Sequence, residues 1–371
     1  MSLIELPYGD LQIIGMRGCE SFTKEVDDHI CEWRGHEHDS YSIEATCPRF
    51  GTGEAKAILH ESQRGKDVYI ICDCFNYGVE YKMYGRKVPM SPDDHFSDLK
   101  RIIGAIEGKA RRISVIMPMP YEGRQHKRSA RESLDCAIAL QEMVNMGVSN
   151  IITFDAHDPR VQNAVPLSGF DSVQPTYQMI KAFVNNIPDA DLSAGKTMII
   201  SPDEGGMSRC MYYSSVLGLE LGMFYKRRNY TVIVDGRNPI EAHEFLGNDV
   251  TGKDVIIVDD MISSGESVID IAYKLKEKGA KRIFVFVSFG LFCNGFEKFD
   301  KAYEDGYINK IFTTNLIYGS DELLARPWYQ SVNMCKYVAY IIDTLNRDMT
   351  ISDLLNPVTR IHNLMAKIQN K

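Results

Sequence analysis

Short, unbroken apolar runs alternate with amphipathic stretches along most of this chain, and the alternation predicts strands separated by helices. Val255–Val258 is a β-branched run with no polar interruption, the pattern of a strand buried on both faces of a parallel sheet. Similar runs predict strands at Leu11–Ile14, Ser42–Thr46, the later part of Arg64–Cys72, Ile113–Met117, Ile151–Phe154, the start of Thr197–Gly206, Leu221–Arg228, Arg282–Ser288 and Lys310–Asn315. Helical spacing predicts helices at Ser21–Trp33, Phe96–Ile106, Ser133–Met146, Tyr177–Asn185 and Ile361–Ile368. Another opens at Ser267, with Val268, Ile271/Ala272 and Leu275 on one face, and another spans Met334–Leu345. Gly78–Asp98 lacks clear periodicity and reads as an exposed excursion; Pro159–Asp171 reads as a loop and Asn229–Asn248 as turn-rich. Gly65-Lys-Asp-Val-Tyr-Ile-Ile closely matches Gly252-Lys-Asp-Val-Ile-Ile-Val, which suggests an internal duplication with two related α/β halves.

Composition narrows the class without naming a function. A chain of 371 residues, 44% hydrophobic and 25% charged, is an ordinary globular sequence long enough for two domains. Its net charge of −8 argues against wrapping nucleic acid. No apolar run approaches membrane-spanning length, and Met1–Asp10 lacks the basic and apolar regions of a signal peptide. Nine scattered cysteines with no C-x-x-C fit free thiols in a reducing cytoplasm better than disulfides or zinc.

Chemistry is concentrated where apolar runs end. After Val255–Val258 come Asp259 and Asp260, then Ser263, Ser264, Gly265, Glu266 and Ser267 opening a helix. A strand, a small-residue loop and a helix N-terminus form an anion cradle, because exposed N–H groups and the helix dipole both favour a phosphate. Two adjacent acids there suit sugar hydroxyls, or a bridging metal. Pro118–Arg131, dense in cations between a strand and a helix, suits a polyphosphate, although a solvated surface is the ordinary reading of such a run. Asp155, His157 and Asp158 end another strand, where the histidine is equally a magnesium ligand, a general base or a structural hydrogen-bonder. Asp203 and two glycines repeat the theme, and Lys226-Arg-Arg228 sets three cations at a strand end. His36-Glu-His38 has spacing that does not share a helix face, which disfavours a metal role.

Val255-Ile-Ile-Val-Asp-Asp-Met-Ile-Ser-Ser-Gly-Glu-Ser267 resembles the phosphoribosyl-binding loop of type I phosphoribosyltransferases and of the ribose-phosphate pyrophosphokinases. Ser263 stands where the family commonly has an acid, and Glu266 where it has a small residue. From about Cys47 to Asn315 the likeness is to the pyrophosphokinases. Arg49-Phe-Gly-Thr-Gly-Glu54 resembles the segment that contacts the nucleotide, which implies Phe50 on adenine with Thr52 and Glu54 at its edge. Pro120–Arg128 is similar to P-Y-x-x-x-R-Q-D-x-K, placing Arg124 and Gln125 on ATP, with His126 in place of an acid. Phe154-Asp-Ala-His157 and Ser201-Pro-Asp-Glu-Gly-Gly206 resemble the segments whose His157 and Asp203 would hold Mg2+. Lys226-Arg-Arg228 matches the catalytic K-x-R, implying catalytic roles for Lys226 and Arg228. Asp259, Asp260 and Ser263–Ser267 would hold ribose 5-phosphate.

The resemblance therefore implies two phosphoribosyltransferase-like α/β domains, each a mainly parallel sheet flanked by helices. The expected division is a nucleotide-side domain at 1–170, a phosphoribosyl-binding domain at 171–335 and a helical segment at 336–371, for which packing back on the first domain is one option. The implied activity is diphosphoryl transfer from ATP to ribose 5-phosphate by a cytoplasmic homo-oligomer, dimer or hexamer, with no nucleic-acid or membrane partner. Two other readings are a phosphoribosyltransferase acting on a nucleobase and a catalytically weak or regulatory relative.

Overall fold

The computed structural model describes residues 7–228 and 240–369, without the side chains of 226–228, 240–243, 368 and 369. The turn-rich expectation for 229–239 therefore falls outside the described residues. In chain order the elements begin with β1 (Asp10–Gly15), α1 (Glu20–Trp33), β2 (Ser42–Ile43), β3 (Ala45–Thr46), β4 (Ile58–Leu59), β5 (Lys66–Ile71), β6 (Glu80–Met83) and β7 (Arg86–Pro89). Next come α2 (Pro92–Ile106), β8 (Arg112–Ile116), α3 (Asp135–Asn145), β9 (Asn150–Phe154), a 3-10 turn (Pro159–Ala164), β10 (Gly169–Val173), α4 (Thr176–Asn186), β11 (Thr197–Ser201) and α5 (Met207–Leu217). They continue with β12 (Glu220–Arg228), β13 (Ile240–Leu246), β14 (Asp254–Ile262), α6 (Glu266–Glu277), β15 (Arg282–Gly290), α7 (Glu297–Glu304) and β16 (Lys310–Thr314). The chain closes with α8 (Asp321–Leu324), β17 (Tyr329–Val332), α9 (Cys335–Asn346), α10 (Ser352–Leu355) and α11 (Val358–Gln369).

These elements form two units. Unit 1 is the chain through Pro175 with Leu316–Tyr318 and Asn333–Asn356; unit 2 is Thr176–Asn315 with Gly319–Val332 and the chain from Pro357. Unit 1 holds a parallel sheet in the order β2-β1-β5-β8-β9-β10. Unit 2 holds β12-β11-β14-β15-β16-β17, parallel throughout, with β13 added antiparallel at the β12 edge. The two orders are the same, strand for strand. In each unit the central strand is buried on both faces, as its unbroken apolar run requires. Two helices seal one face: α2 and α3 in unit 1, through Leu99, Ile103, Leu140 and Met143, and α6 and α7 in unit 2, through Ile271, Leu275, Phe299 and Ala302.

The repeated Gly-Lys-Asp is where the two units match most closely. Gly65 and Gly252 both adopt left-handed backbone (φ 75° and 72°) at the turn into the central strand. The Gly65 N–H donates to Lys109 O (3.0 Å), and the Gly252 N–H to Gly279 O (2.8 Å). Each aspartate then accepts two hydrogen bonds from the arginine that starts the neighbouring strand. Arg112 Nε and Nη2 reach Asp67 at 2.8 and 2.6 Å, and Arg282 Nε and Nη2 reach Asp254 at 3.0 and 2.6 Å. Both carboxylates are buried, so the bidentate pairing is what makes their burial tolerable.

Several expectations are corrected. Gly78–Asp98 is not an irregular excursion: β6 and β7 pair as an antiparallel hairpin through Tyr84 and Gly85, both at positive φ (48° and 76°). Such a turn matches the strand twist, but Tyr-Gly is a weaker signal than Asn-Gly. The following helix starts at Pro92, not Phe96, because Ser91 and Asp94 form a capping box around a proline at the first helical turn. The Pro159–Asp171 loop contains the 3-10 turn and the start of β10. Ser42–Thr46 is divided into β2 and β3, which join different sheets. Part of the turn-rich stretch is β13. The carboxylates after Val258 lie within β14, which runs on to Ile262. Among the described residues no helix is long and apolar enough to cross a membrane.

Candidate functional site

In unit 2, β14 brings its apolar run to the carboxyl edge of the sheet, where Asp260 is buried and Asp259 half-buried. The Asp260 N–H donates to Asp259 Oδ1 (2.9 Å), and Arg209 Nη1 of α5 lies 3.7 Å from the same oxygen. Burial and the neighbouring Asp260 push the Asp259 carboxyl well above the usual carboxylate range, while Arg209 opposes the shift. Two consecutive acids at a strand end, with Arg209 near the first, are polar groups suited to hydrogen bonding with sugar hydroxyls.

The loop that follows is braced by the segment just after β15: the Leu291 N–H donates to Ile262 O (2.9 Å) and the Cys293 N–H to Ser263 O (2.8 Å). Gly265 adopts φ +80°, and a Cβ there would lie 2.5 Å from Phe299 Cε2, so only glycine fits. This glycine turns the chain directly into α6, whose start has no side-chain cap. An uncapped helix N-terminus behind Ser263, Ser264 and Ser267 can receive an anion at its first-turn N–H groups. Glu266, the first residue of α6, pairs with Lys298 of α7 at 2.8 Å.

Asp203 ends β11. Its Oδ1 accepts from the N–H groups of Gly205 (2.9 Å) and Gly206 (3.2 Å), and Ser201 Oγ donates to its carbonyl (2.8 Å). The two glycines thus orient this carboxylate. Lys226 and Arg228 lie in the part of β12 that pairs with β13, with a register irregularity between Arg227 and Arg228. Their side chains lie outside the described residues.

In unit 1, Phe50, Thr52 and Glu54 share one tight loop. The Phe50 N–H donates to Glu54 O (2.7 Å), the Gly53 N–H to Phe50 O (2.9 Å) and Thr52 Oγ1 to Glu54 Oε2 (2.8 Å). Phe50 is 55% exposed, a large apolar ring held in solvent. The loop is fastened by Arg49, whose guanidinium is buried against Asp98 (2.7 Å) and lies over the Tyr81 ring (4.7 Å). The hairpin tip helps too, through Tyr84 N–H to Gly51 O (2.8 Å). Arg49 and Asp98 are site-shaping residues that sequence reasoning missed; an arginine immediately before a small-residue turn was the available signal.

Arg124 and Gln125 follow β8 on an exposed turn, with Gln125 Nε2 donating to Ser133 O (2.9 Å). His157 follows β9 and is drawn to the same corner through His126, whose ring centroid is 5.3 Å from that of His157. His126 Nδ1 lies 3.2 Å from Arg124 O, and its Nε2 is 3.5 Å from Asp158 Oδ2. Asp158 is held far below the usual carboxylate range, chiefly by its hydrogen bonds from Arg160. Burial lowers the affinity of His126 for a proton. Asp155 adopts φ +41° at the strand end, a strained position for a non-glycine residue.

Among the described residues no three His, Cys, Asp or Glu side chains are grouped as a metal cage. Mg2+ does not require one, since it keeps several waters and binds through one or two carboxylates plus substrate phosphates. The Asp203 carboxylate, oriented by two N–H groups, fits such an ion, and the His157 imidazole fits a water-mediated contact.

Residues 11–147 match the family model of the N-terminal domain of ribose phosphate pyrophosphokinase, and residues 171–314 match that of the phosphoribosyl transferase domain. A ribose-phosphate pyrophosphokinase of Vibrio cholerae is 27% identical over 319 residues, covering 84% of this chain and 91% of the relative. That of Ureaplasma parvum is 31% identical over 228 residues, 61% of this chain and 66% of the relative. Among solved structures, the phosphoribosylpyrophosphate synthetase from Mycobacterium smegmatis superposes with a TM-score of 0.73 at 20% identity, over 91% of this chain and 99% of that one. At that identity the likeness is one of fold. The two domain models occur in series on one chain, and a relative of the same description is matched over nearly its whole length, so this protein belongs to the ribose-phosphate pyrophosphokinase family.

Proposed function

We propose that the protein is a ribose-phosphate diphosphokinase, transferring the diphosphoryl group of ATP to the anomeric hydroxyl of ribose 5-phosphate. The products are phosphoribosyl diphosphate and AMP. The observation that carries this reading is the uncapped N-terminus of α6 beside the Asp259–Asp260 pair, an arrangement suited to one ligand that has both a phosphate and vicinal hydroxyls. A phosphoribosyltransferase acting on a nucleobase would use that loop but would have no need of the Phe50 and Arg124 segments.

In this mechanism Ser263–Ser267 binds the 5-phosphate, while Asp259 and Asp260 accept hydrogen bonds from the 2- and 3-hydroxyls. The acceptor is thereby held with its anomeric oxygen directed at the β-phosphorus, and positioning of this kind supplies much of the rate. Phe50 stacks on adenine, Thr52 and Glu54 contact its edge, and Arg124 and Gln125 hold the triphosphate. As the anomeric oxygen bonds to the β-phosphorus and its proton passes to solvent, the bond from that phosphorus to the AMP oxygen breaks and AMP carries away the electron pair. Lys226 and Arg228 stabilise the charge that spreads over the transferring oxygens; a single such cation is worth about 10³-fold in comparable reactions. Mg2+, for which Asp203 and His157 are each a candidate ligand, would supply further neutralisation of the polyphosphate. A loose transition state asks for little activation of the nucleophile, so no strong base is required.

The protein is further proposed to act in the cytoplasm as a homo-oligomer, which light scattering after size exclusion would test. For the activity, purified protein is incubated with ATP, Mg2+ and ribose 5-phosphate while AMP and phosphoribosyl diphosphate are followed by chromatography. Both products should appear in equal amounts and only when all three components are present. AMP formed without ribose 5-phosphate, or neither product in the complete mixture, would overturn the assignment.

A further inference from the structure

The phosphate cradle in unit 2 contains a charge that works against it. Glu266 is the first residue of α6, and a carboxylate there is attracted by the same helix field and first-turn N–H groups that would receive a phosphate. Gly265 at the N-cap has no side chain to occupy those groups, and the Glu266 N–H has only a long contact to Ser264 Oγ (3.5 Å). Left to itself, the Glu266 side chain is an internal anion competing for the site.

Lys298 prevents this. Its Nζ donates to Glu266 Oε1 at 2.8 Å, and both side chains are more than half exposed. The lysine pulls the Glu266 carboxyl below its ordinary proton affinity. Its location is not accidental. The next residue, Phe299, is buried, and its ring occupies the space where a side chain at Gly265 would be. The missing side chain at 265 thus lets α7 approach the loop, and α7 delivers Lys298 to the carboxylate at 266. As an exposed ion pair it adds little to stability. Its effect on the local charge offered to a dianion is larger, because that charge lies beside the ligand.

We infer that Lys298 belongs to the phosphate end of the acceptor site as a positioning residue, clamping the Glu266 carboxylate away from the N–H groups that bind the 5-phosphate of ribose 5-phosphate. This rests on the assignment of Ser263–Ser267 as the ribose 5-phosphate cradle. The clamp offsets the acidic residue at 266, so the start of α6 offers a phosphate no net negative charge.

A double-mutant cycle on the full chain tests it, with dissociation constants for ribose 5-phosphate from calorimetry and KM for ATP from the coupled assay. Lys298→Ala should weaken ribose 5-phosphate binding about tenfold, the scale of one unit charge beside a dianion near a protein surface, with little change in KM for ATP. Glu266→Gln should tighten binding about threefold. In the double variant the loss should vanish, its constant matching that of Glu266→Gln alone. The tenfold loss should also shrink at about 0.5 M salt, a response that a packing role of Lys298 would not produce. Binding unaffected by Lys298→Ala overturns the clamp, and so does a loss of the same size with Gln at 266, which would make Lys298 a direct phosphate ligand. If the wild-type protein fails to bind ribose 5-phosphate at all, the cradle assignment falls and the clamp with it.

Discussion

Replacing Gly265 with alanine tests whether the loop geometry depends on the absence of one side chain. Two costs arise. At φ +80° an alanine is held in left-handed backbone, at about 1 kcal/mol. Its Cβ would also run into Phe299 Cζ and lie 2.5 Å from Cε2, so the ring must retreat by more than about 1 Å to regain contact distance. Phe299 cannot do so freely, because it is buried and stacked on Trp328 with ring centroids 5.4 Å apart. Overpacking at such a site costs about 2 kcal/mol. The sum, about 3 kcal/mol, should appear as a lower midpoint in urea unfolding followed by tryptophan emission, since buried Trp328 reports on this cluster. Repeating the substitution with Leu at 299 should remove the steric part and leave about 1 kcal/mol. A loss below about 0.5 kcal/mol in both backgrounds would refute the idea that Phe299 and the left-handed turn together require glycine.

The remaining predictions concern chemistry, the duplicated anchor and pH. Lys226→Ala should lower turnover by about 10³-fold while ribose 5-phosphate affinity, measured by calorimetry, stays within about twofold; near-normal turnover would remove Lys226 from the mechanism. Asp254→Asn should cost about 2 kcal/mol in urea unfolding by removing the bidentate partner of the half-buried Arg282, which keeps only Asp189 (2.8 Å), and Asp67→Asn should cost about as much at the half-buried Arg112; a cost under about 0.5 kcal/mol at either site would contradict the shared-anchor account. In unit 1, burial pushes the Asp73 carboxyl up to about 6. Because the folded state binds its proton more tightly than the unfolded state, this group favours folding below about pH 4 and loses that contribution as pH rises through about 6. Urea midpoints of the wild type relative to Asp73→Asn should therefore fall between about pH 4 and 7, and a pH-independent difference would be contrary to the buried-acid reading.

The central strands were legible because burial on both faces leaves continuous apolar runs, as in Val68–Ile71 and Val255–Val258. Their ends were legible for the complementary reason: Asp203 and Asp259 interrupt such runs with charge that needs a partner. β10 and β17 escaped notice because Gly-Phe-Asp-Ser-Val and Tyr-Gln-Ser-Val carry no such run and gain their order from the neighbouring strand. The β6–β7 hairpin was hidden by a turn sequence without Asn or Asp. Arg209 and Lys298 were invisible for another reason. Each acts on a carboxylate supplied by a different element, and no local pattern relates Lys298 to Glu266 or Arg209 to Asp259.

The Asp67 anchor of unit 1 depends on the far end of the chain. Asn346, in the last turn of α9, donates from Nδ2 to Asp67 Oδ2 (2.9 Å) and to Gly9 O (2.9 Å), while Arg112 Nη2 reaches Leu345 O (2.7 Å). During synthesis, then, the first strands emerge with this ionic knot only partly satisfied, and they wait for the segment Asn333–Asn356 to leave the ribosome. At roughly 5–20 residues per second that interval is tens of seconds at the slower rates. A nascent chain stalled after Pro175 should be easy prey for proteases, and release of the final helices, rather than completion of the first sheet, should mark the moment when resistance appears.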